Sequence, residues 1–318
     1  MGSLFRRRSD FANSIRYYML ANELHESILD SDKRGVCMTN FNLGIVSCEA
    51  NKFSKAHAFF SEALKLQLEI SGADSLEVAK IHGQIGKKYL KEKNYTESLR
   101  FYKLAYKTEK MAATDYAVAG TAEKIGNLHL KMSEDSLAID WFEEALALKR
   151  KLNATVGKLL YNLGEACINT CYFDKALEYS NEAWKIDFER DGAYHQSTLN
   201  SRGMTARVKV LKVDYEGALA DYEEILKTKR EMTNSEESKA ITLMDIGHVC
   251  LRMNNYSKSQ ENFDEAHKML VQIYGYDERD DERDDERGHP TIELVEKYIA
   301  ELNEKKKDKP RRRSILSM

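Results

Sequence analysis

The sequence predicts an all-α array of stacked antiparallel helix pairs, and three observations carry that prediction. The only two prolines, Pro290 and Pro310, lie near the C-terminus of 318 residues, so a long stretch runs without a helix breaker. A fold of many short strands would need turn punctuation every ~8–12 residues. Small and aromatic residues then recur at a fixed interval along most of the chain. The charged fraction is 32% against 42% hydrophobic, which suits an array without a deep central core. Disorder is excluded by the steady recurrence of Leu, Tyr, Phe and Ala.

The repeat begins with an apolar–Gly pair, at Leu43-Gly44, Ile85-Gly86, Ile125-Gly126, Leu163-Gly164 and Ile246-Gly247. Twelve residues after each Gly stands a small residue: Ala56, Ser98, Ala138, Ala176 and Ser259. Four further on come Phe60, Tyr102, Phe142, Ser180 and Phe263, and three beyond those Ala63, Ala105, Ala145, Ala183 and Ala266. A weaker sixth copy, with Ala206, Tyr215, Ala218, Tyr222 and Ile225, fills the remaining gap. The small residues let the two helices of a pair approach closely, while aromatics at helical spacing fill the space between pairs. Polar stretches such as Glu92-Lys93-Asn94 separate the first helix of a pair (helix A) from the second (helix B). No such hairpin can bury its own apolar face alone, so the copies must stack.

This ladder resembles the tetratricopeptide repeat (TPR), over about residues 10 to 303. The period of 38–42 residues exceeds the basic repeat of about 34. It is similar to the long-repeat subclass of kinesin light chains and nephrocystin-3-like proteins. Gly72-Ala73-Asp74-Ser75, and Tyr274-Gly275 running on to Gly288-His289-Pro290, echo that subclass's joints. The resemblance implies a right-handed α-solenoid and a non-enzymatic adaptor that binds a short linear motif in a concave groove.

Organisation follows from the same ladder. Residues 1–9 read as a basic tail and 10–29 as an orphan helix B, because Phe11, Ser14, Tyr18 and Ala21 repeat the helix-B spacing. Either that helix caps the array or the chain is a piece of a longer protein. Six repeats fill about 37–275. An acidic loop insert follows at 276–289, then a C-terminal helix at 291–305 and a basic tail at 306–318. Kinesin light chains carry a heptad coiled coil before their repeats, and no heptad run precedes these.

Charge is patchy. Arg6–Arg8 contribute +3, Asp277–Arg287 contribute −5 and Glu304–Arg313 contribute +5, which leaves −6 on the body within a net −3. A mildly acidic body is a poor nucleic-acid surface. The insert, an expanded Asp-Glu-Arg-Asp repeat, reads as a solvated loop before it reads as a contact for a basic partner. Arginines placed before Ser9 and Ser314 suit basophilic kinases, so both serines are candidate phosphosites. Gly2 does not invite myristoylation, because Arg6 stands where Ser or Thr is wanted.

No catalytic constellation emerges, no cofactor is implied, and no metal set is completed around Cys37, Cys48, Cys167, Cys171 or Cys250. The odd cysteine number and the lack of a secretory signal or membrane span point to the cytoplasm. The kinesin likeness would add a cytoskeletal association.

In the resembled family, helix A lines the inner wall at positions three before and one after the small Gly. That placement gives Met38, Phe41, Ile45 and Cys48, then Lys80 and Lys87, then Glu123 and Asn127. Lys158, Tyr161 and Glu165 follow, then Asn200 and Arg207, and finally Met244 and His248. The expected groove residues are Phe41, Lys80, Lys87, Asn127, Lys158, Tyr161, Arg207 and His248. The lysines with Arg207 form a basic stripe that would attract an acidic extended peptide, with Tyr161 or Phe41 stacking an anchor side chain. The family's chaperone-type carboxylate clamp is disfavoured, because Glu123 stands where the clamp lysine belongs although Asn127 matches. The alternatives are a structural subunit using its outer face, and a regulatory repeat region of a longer motor or signalling protein.

Overall fold

A computed structural model describes residues 1–28, 33–233, 235–274 and 289–315. The described residues form fifteen α-helices and no strand. They fall into two units that divide between Leu159 and Leu160. In the first, α1 (Gly2–Arg7), α3 (Lys33–Glu49), α5 (Leu76–Lys91) and α7 (Asp115–Lys131) are A helices. They pair with the B helices α2 (Phe11–Ile28), α4 (Phe53–Ser71), α6 (Tyr95–Met111) and α8 (Asp135–Lys151). The division falls within α9 (Gly157–Asn169). The second unit continues with α10 (Phe173–Asp191), α11 (Gln196–Leu211), α12 (Tyr215–Glu231), α13 (Glu236–Arg252), α14 (Tyr256–Tyr274) and α15 (Pro290–Ile315). Each of these packs on the next in sequence.

Every A-to-B connection uses the same turn. Ser9, Asn51, Lys93, Ser133, Cys171, Val213 and Asn254 all adopt φ of 56–67°. The next residue's N–H reaches back to the carbonyl five positions earlier, as in Lys52 N to Ser47 O (2.8 Å) and Asn94 N to Tyr89 O (2.9 Å). This is the Schellman closure, which satisfies carbonyls left over at the end of a helix. The residue after the turn then caps helix B where its side chain allows. Asn94 and Asp214 accept from Glu97 N and Gly217 N.

Val213 is the misfit in this series. A β-branched residue in the left-handed region costs ~1–2 kcal/mol, and Val213 is 66% exposed, so burial offsets little of it. Val213→Asn is expected to stabilise the protein by about 1 kcal/mol, read as a raised thermal midpoint. An unchanged or lowered midpoint would show that the strain is absorbed elsewhere.

The core follows the glycine–aromatic spacing. Gly44 faces Phe60 and Gly126 faces Phe142 in the first unit, and Gly247 faces Phe263 in the second. A Cβ at any of these glycines would stand 2.6 Å from the ring, and each ring is fully buried. At Gly164 the residue sixteen on is Ser180, and the Met204 sulfur occupies the space instead.

The N-terminus differs from expectation. Residues 1–9 are not a tail before an orphan helix: Gly2–Arg7 is helical and packs on α2. Gly2 lies 42 positions before Gly44 and abuts the Tyr18 ring, where a Cβ would sit 2.9 Å away. Ser14 Oγ donates to Gly2 O at 2.8 Å, as Ser98 does to Gly86 and Ser259 to Gly247. The expected helix B therefore has a helix-A partner, α1, packed beside it. At the other end, α15 continues through the expected basic tail to Ile315. The acidic insert lies outside the described residues apart from His289, whose ring stacks on Tyr274 at 3.5 Å.

Candidate functional site

In the first unit, α3, the end of α4 and the start of α5 enclose a pocket of 610 Å³. Its apolar lining is Cys37, Met38, Phe41, Ile70 and Ile81, and its polar rim is Arg34, Gln67, Ser71, Glu77 and Lys80. Phe41 is held edge-on against the buried Phe60, with ring centroids 6.2 Å apart. Cys37 Sγ donates to Ala63 O and Gln67 Oε1, both at 3.3 Å, and burial raises its pKa. Met38 is 61% exposed over this pocket, an apolar side chain that nothing described in the unit covers.

Two of the expected groove residues, Phe41 and Lys80, thus converge on one pocket. Lys80, Lys87 and Lys158 are exposed and make no ion pair among the described residues. Asn127 is half-buried on α7. Glu123 is drawn away to Lys149 of α8, so it faces its own helix pair more than an incoming ligand. Glu123 therefore does not offset the lysines expected on this wall, and Glu77 is the carboxylate that shares the pocket rim with Lys80.

The second unit's wall is balanced differently. Arg207 is not an open cation: its guanidinium lies 3.2 Å from Glu165. Tyr161 is half-buried beside that pair; burial and then Glu165 raise its phenol pKa. His248 is covered by α15, its ring 5.3 Å from that of Tyr298, and burial lowers its pKa. The physical reason is the same for both departures. Whether a wall residue is open depends on which side chains the neighbouring A helices bring, and the repeat spacing does not encode that.

Asp245 was not singled out by the sequence. It is half-buried on α13, two positions before Gly247, and burial pushes its carboxyl up to about 6. The positions two before the other glycines carry Asn42, Gln84, Lys124 and Asn162. A polar residue recurring at that place inside an otherwise apolar segment was the available signal. Lys229 of α12 lies near enough for its charge to oppose that shift, yet its ammonium donates to Ser238 O (3.0 Å) and Thr242 Oγ1 (2.8 Å).

The candidate phosphosite Ser9 is exposed in the α1–α2 turn, and Ser314 lies within α15. Among the described residues no group of His, Cys, Asp and Glu could hold a metal, and no helix is long and apolar enough to cross a membrane.

No family model matches the chain. Among solved structures it is similar to the TPR-like repeats of a kinesin light chain from Podosopora anserina, with 11% identity and a TM-score of 0.56 over 65% of this chain and 100% of that one. A C-terminal part of a TPR repeat-containing protein from Cytophaga hutchinsonii matches at 14% identity and a TM-score of 0.62, over 84% and 93%. A signal transduction ATPase with a tetratricopeptide repeat sensor from Pyrococcus horikoshii matches at 13% identity and a TM-score of 0.71, over 86% of this chain and 41% of that one. Identities this low speak for the fold alone. With consecutive helix pairing and seven equivalent turns, the chain has the tetratricopeptide-repeat fold.

Proposed function

We propose that the chain is a non-enzymatic interaction scaffold whose first unit holds a short extended peptide, an apolar anchor in the α3–α5 pocket with acidic side chains beside it. The observation that carries this reading is the pocket itself. An apolar lining of Phe41, Met38 and Ile81 lies under a rim where Arg34 and Lys80 outnumber Glu77. An apolar anchor supplies affinity by burial, and uncompensated cations select a partner of opposite sign. Lys87 and Lys158 extend that positive character along the A helices of the same unit. A cytoplasmic adaptor of the kinesin-light-chain kind is the finer form of this proposal, and five cysteines that form no disulfide suit a reducing compartment.

The test is affinity capture with mass spectrometry, run with the wild type and with the combined variant Lys80→Glu, Lys87→Glu and Lys158→Glu. All three side chains are exposed, so the fold is expected to persist. Each reversal replaces an attraction by a repulsion of ~0.5–1 kcal/mol, so binding of the relevant partner should weaken at least roughly tenfold. Partners retained equally by both proteins would overturn the acidic-peptide reading and move attention to the outer, helix-B face.

A further inference from the structure

On α2 of the first unit, Tyr17, Leu20 and Leu24 recur at helical spacing and all three are exposed, as is Leu4 of α1. The rest of the unit shows what such positions normally meet. Counted from the repeat glycine, Tyr17 corresponds to Phe101 and Trp141, and Leu4 to the buried Val46 and Leu128. Phe5 stacks on Tyr17 as Tyr89 stacks on Phe101, with centroids 5.2 and 5.6 Å apart. Yet Phe101 is 9% exposed and Tyr17 37%. The difference is the neighbour. Phe101 joins a buried cluster that includes Ala56 and Phe60 of α4, the preceding helix B. Trp141 meets the Tyr106 ring of α6, again the preceding helix B, edge-on at 4.9 Å. No described pair stands before α1 and α2, so their equivalent side chains lack that cover.

A terminal repeat keeps an array soluble when its outer face is polar, and this one presents a tyrosine and two leucines instead. By continuity with the interfaces inside the array, the element that fits this face is another helix B laid along α2. Charge at the edge of the stripe says which one. Arg16 and Glu23 are both exposed and make no ion pair among the described residues. They stand two turns apart on the same edge of α2, one before Tyr17 and the other before Leu24. Two copies of α2 running antiparallel bring each Arg16 beside the other's Glu23, and Tyr17 of one against Leu20 of the other. Parallel pairing in register would set like charges at the same level and lose that match.

We propose that α2 pairs antiparallel with α2 of a second copy of this chain, about a two-fold axis midway between Tyr17 and Leu20. The same patch serves on both copies, so the assembly closes at two and does not grow into a filament. Phe5 holds the Tyr17 ring in place for the contact. The dimer goes beyond the peptide-binding reading and does not depend on it, because the α3–α5 pocket shares no lining residue with the α2 stripe. It leaves both copies' pockets in one particle.

The experiment is sedimentation velocity of the full chain over roughly 1–500 µM, the range in which small contacts associate. A monomer–dimer equilibrium is expected, with no larger species. Leu20→Glu places a charge at the centre of the contact and should weaken association at least roughly tenfold. Arg16→Glu alone and Glu23→Arg alone each set like charges together and should weaken it roughly fivefold. The double variant Arg16→Glu with Glu23→Arg restores both pairs in exchanged form and should recover most of the wild-type affinity. All three side chains are exposed, and thermal melts of each variant check that the fold persists. A chain that stays monomeric throughout, or assembles past the dimer, would overturn the proposal. So would a dimer undiminished in Leu20→Glu, or a double variant no tighter than the single ones. The Lys80, Lys87 and Lys158 variant should dimerise as the wild type does, so the two readings fail separately.

Discussion

Phe142→Ala is expected to cost the first unit about 3–5 kcal/mol, because a fully buried ring would leave a cavity its neighbours cannot close. The more informative partner is Gly126→Ala. In the wild type its new Cβ would stand 2.6 Å from the Phe142 ring, so the substitution should destabilise by ~1–3 kcal/mol through overpacking. In the Phe142→Ala background the ring is gone and the same methyl group meets empty space. There Gly126→Ala should become neutral or stabilising, since alanine exceeds glycine in helix interiors by ~1 kcal/mol. The double-mutant cycle should therefore return a coupling of a few kcal/mol between residues sixteen apart in sequence. Hydrogen exchange of the α7 and α8 amides is the suitable readout, because a repeat array need not unfold in one step. Equal cost of Gly126→Ala in both backgrounds would mean that the close approach does not govern stability. The cycle at Gly247 and Phe263 in the second unit should behave alike.

That coupling explains why the architecture was legible in the sequence. The spacing from glycine to aromatic is a steric rule local to one helix pair, so it survives in every copy that has both residues. It even survives where it was overlooked: Gly2 and Tyr18 obey it, but the arginine run at 6–8 reads as a tail and masks the helix. The site was legible only in part, for the opposite reason. Phe41 and Lys80 come together because α3 and α5 each contribute a wall position to one pocket. Arg207 and His248 are likewise expected on the wall, yet Glu165 and Tyr298 engage them. Which side chain an adjacent repeat presents is a matter of individual identity, and no period predicts it. Asp245 is the same lesson inverted: its carboxylate is left over because the nearby cations found other partners.

Asp245→Asn is expected to stabilise the protein at neutral pH by on the order of 3 kcal/mol, and the gain should vanish in acid. The carboxyl is raised from its ordinary 3.8 to about 6 in the folded chain. Between those values the folded state holds a proton that the unfolded state has released, so stability falls as pH rises from about 4 to about 6. Above that window the full cost of the buried charge is carried; below about 4 both states are protonated and the cost is gone. The groups facing the carboxyl account for the size of the shift. Desolvation raises it, Lys229 and Arg207 oppose that rise, and the phenols of Tyr222 and Tyr298 bring no charge to offset it. Other carboxylates work in the opposite sense, since Asp191 is held at about 2 by Arg190 and favours folding above its own range. The wild-type curve alone therefore mixes signs, and the difference between wild type and variant isolates Asp245. Chemical denaturation of both proteins at pH 7, 5.5 and 4 should show that difference shrinking to well under 1 kcal/mol at the acid end. A constant difference across the range would mean that Asp245 is solvated as an ordinary surface carboxylate.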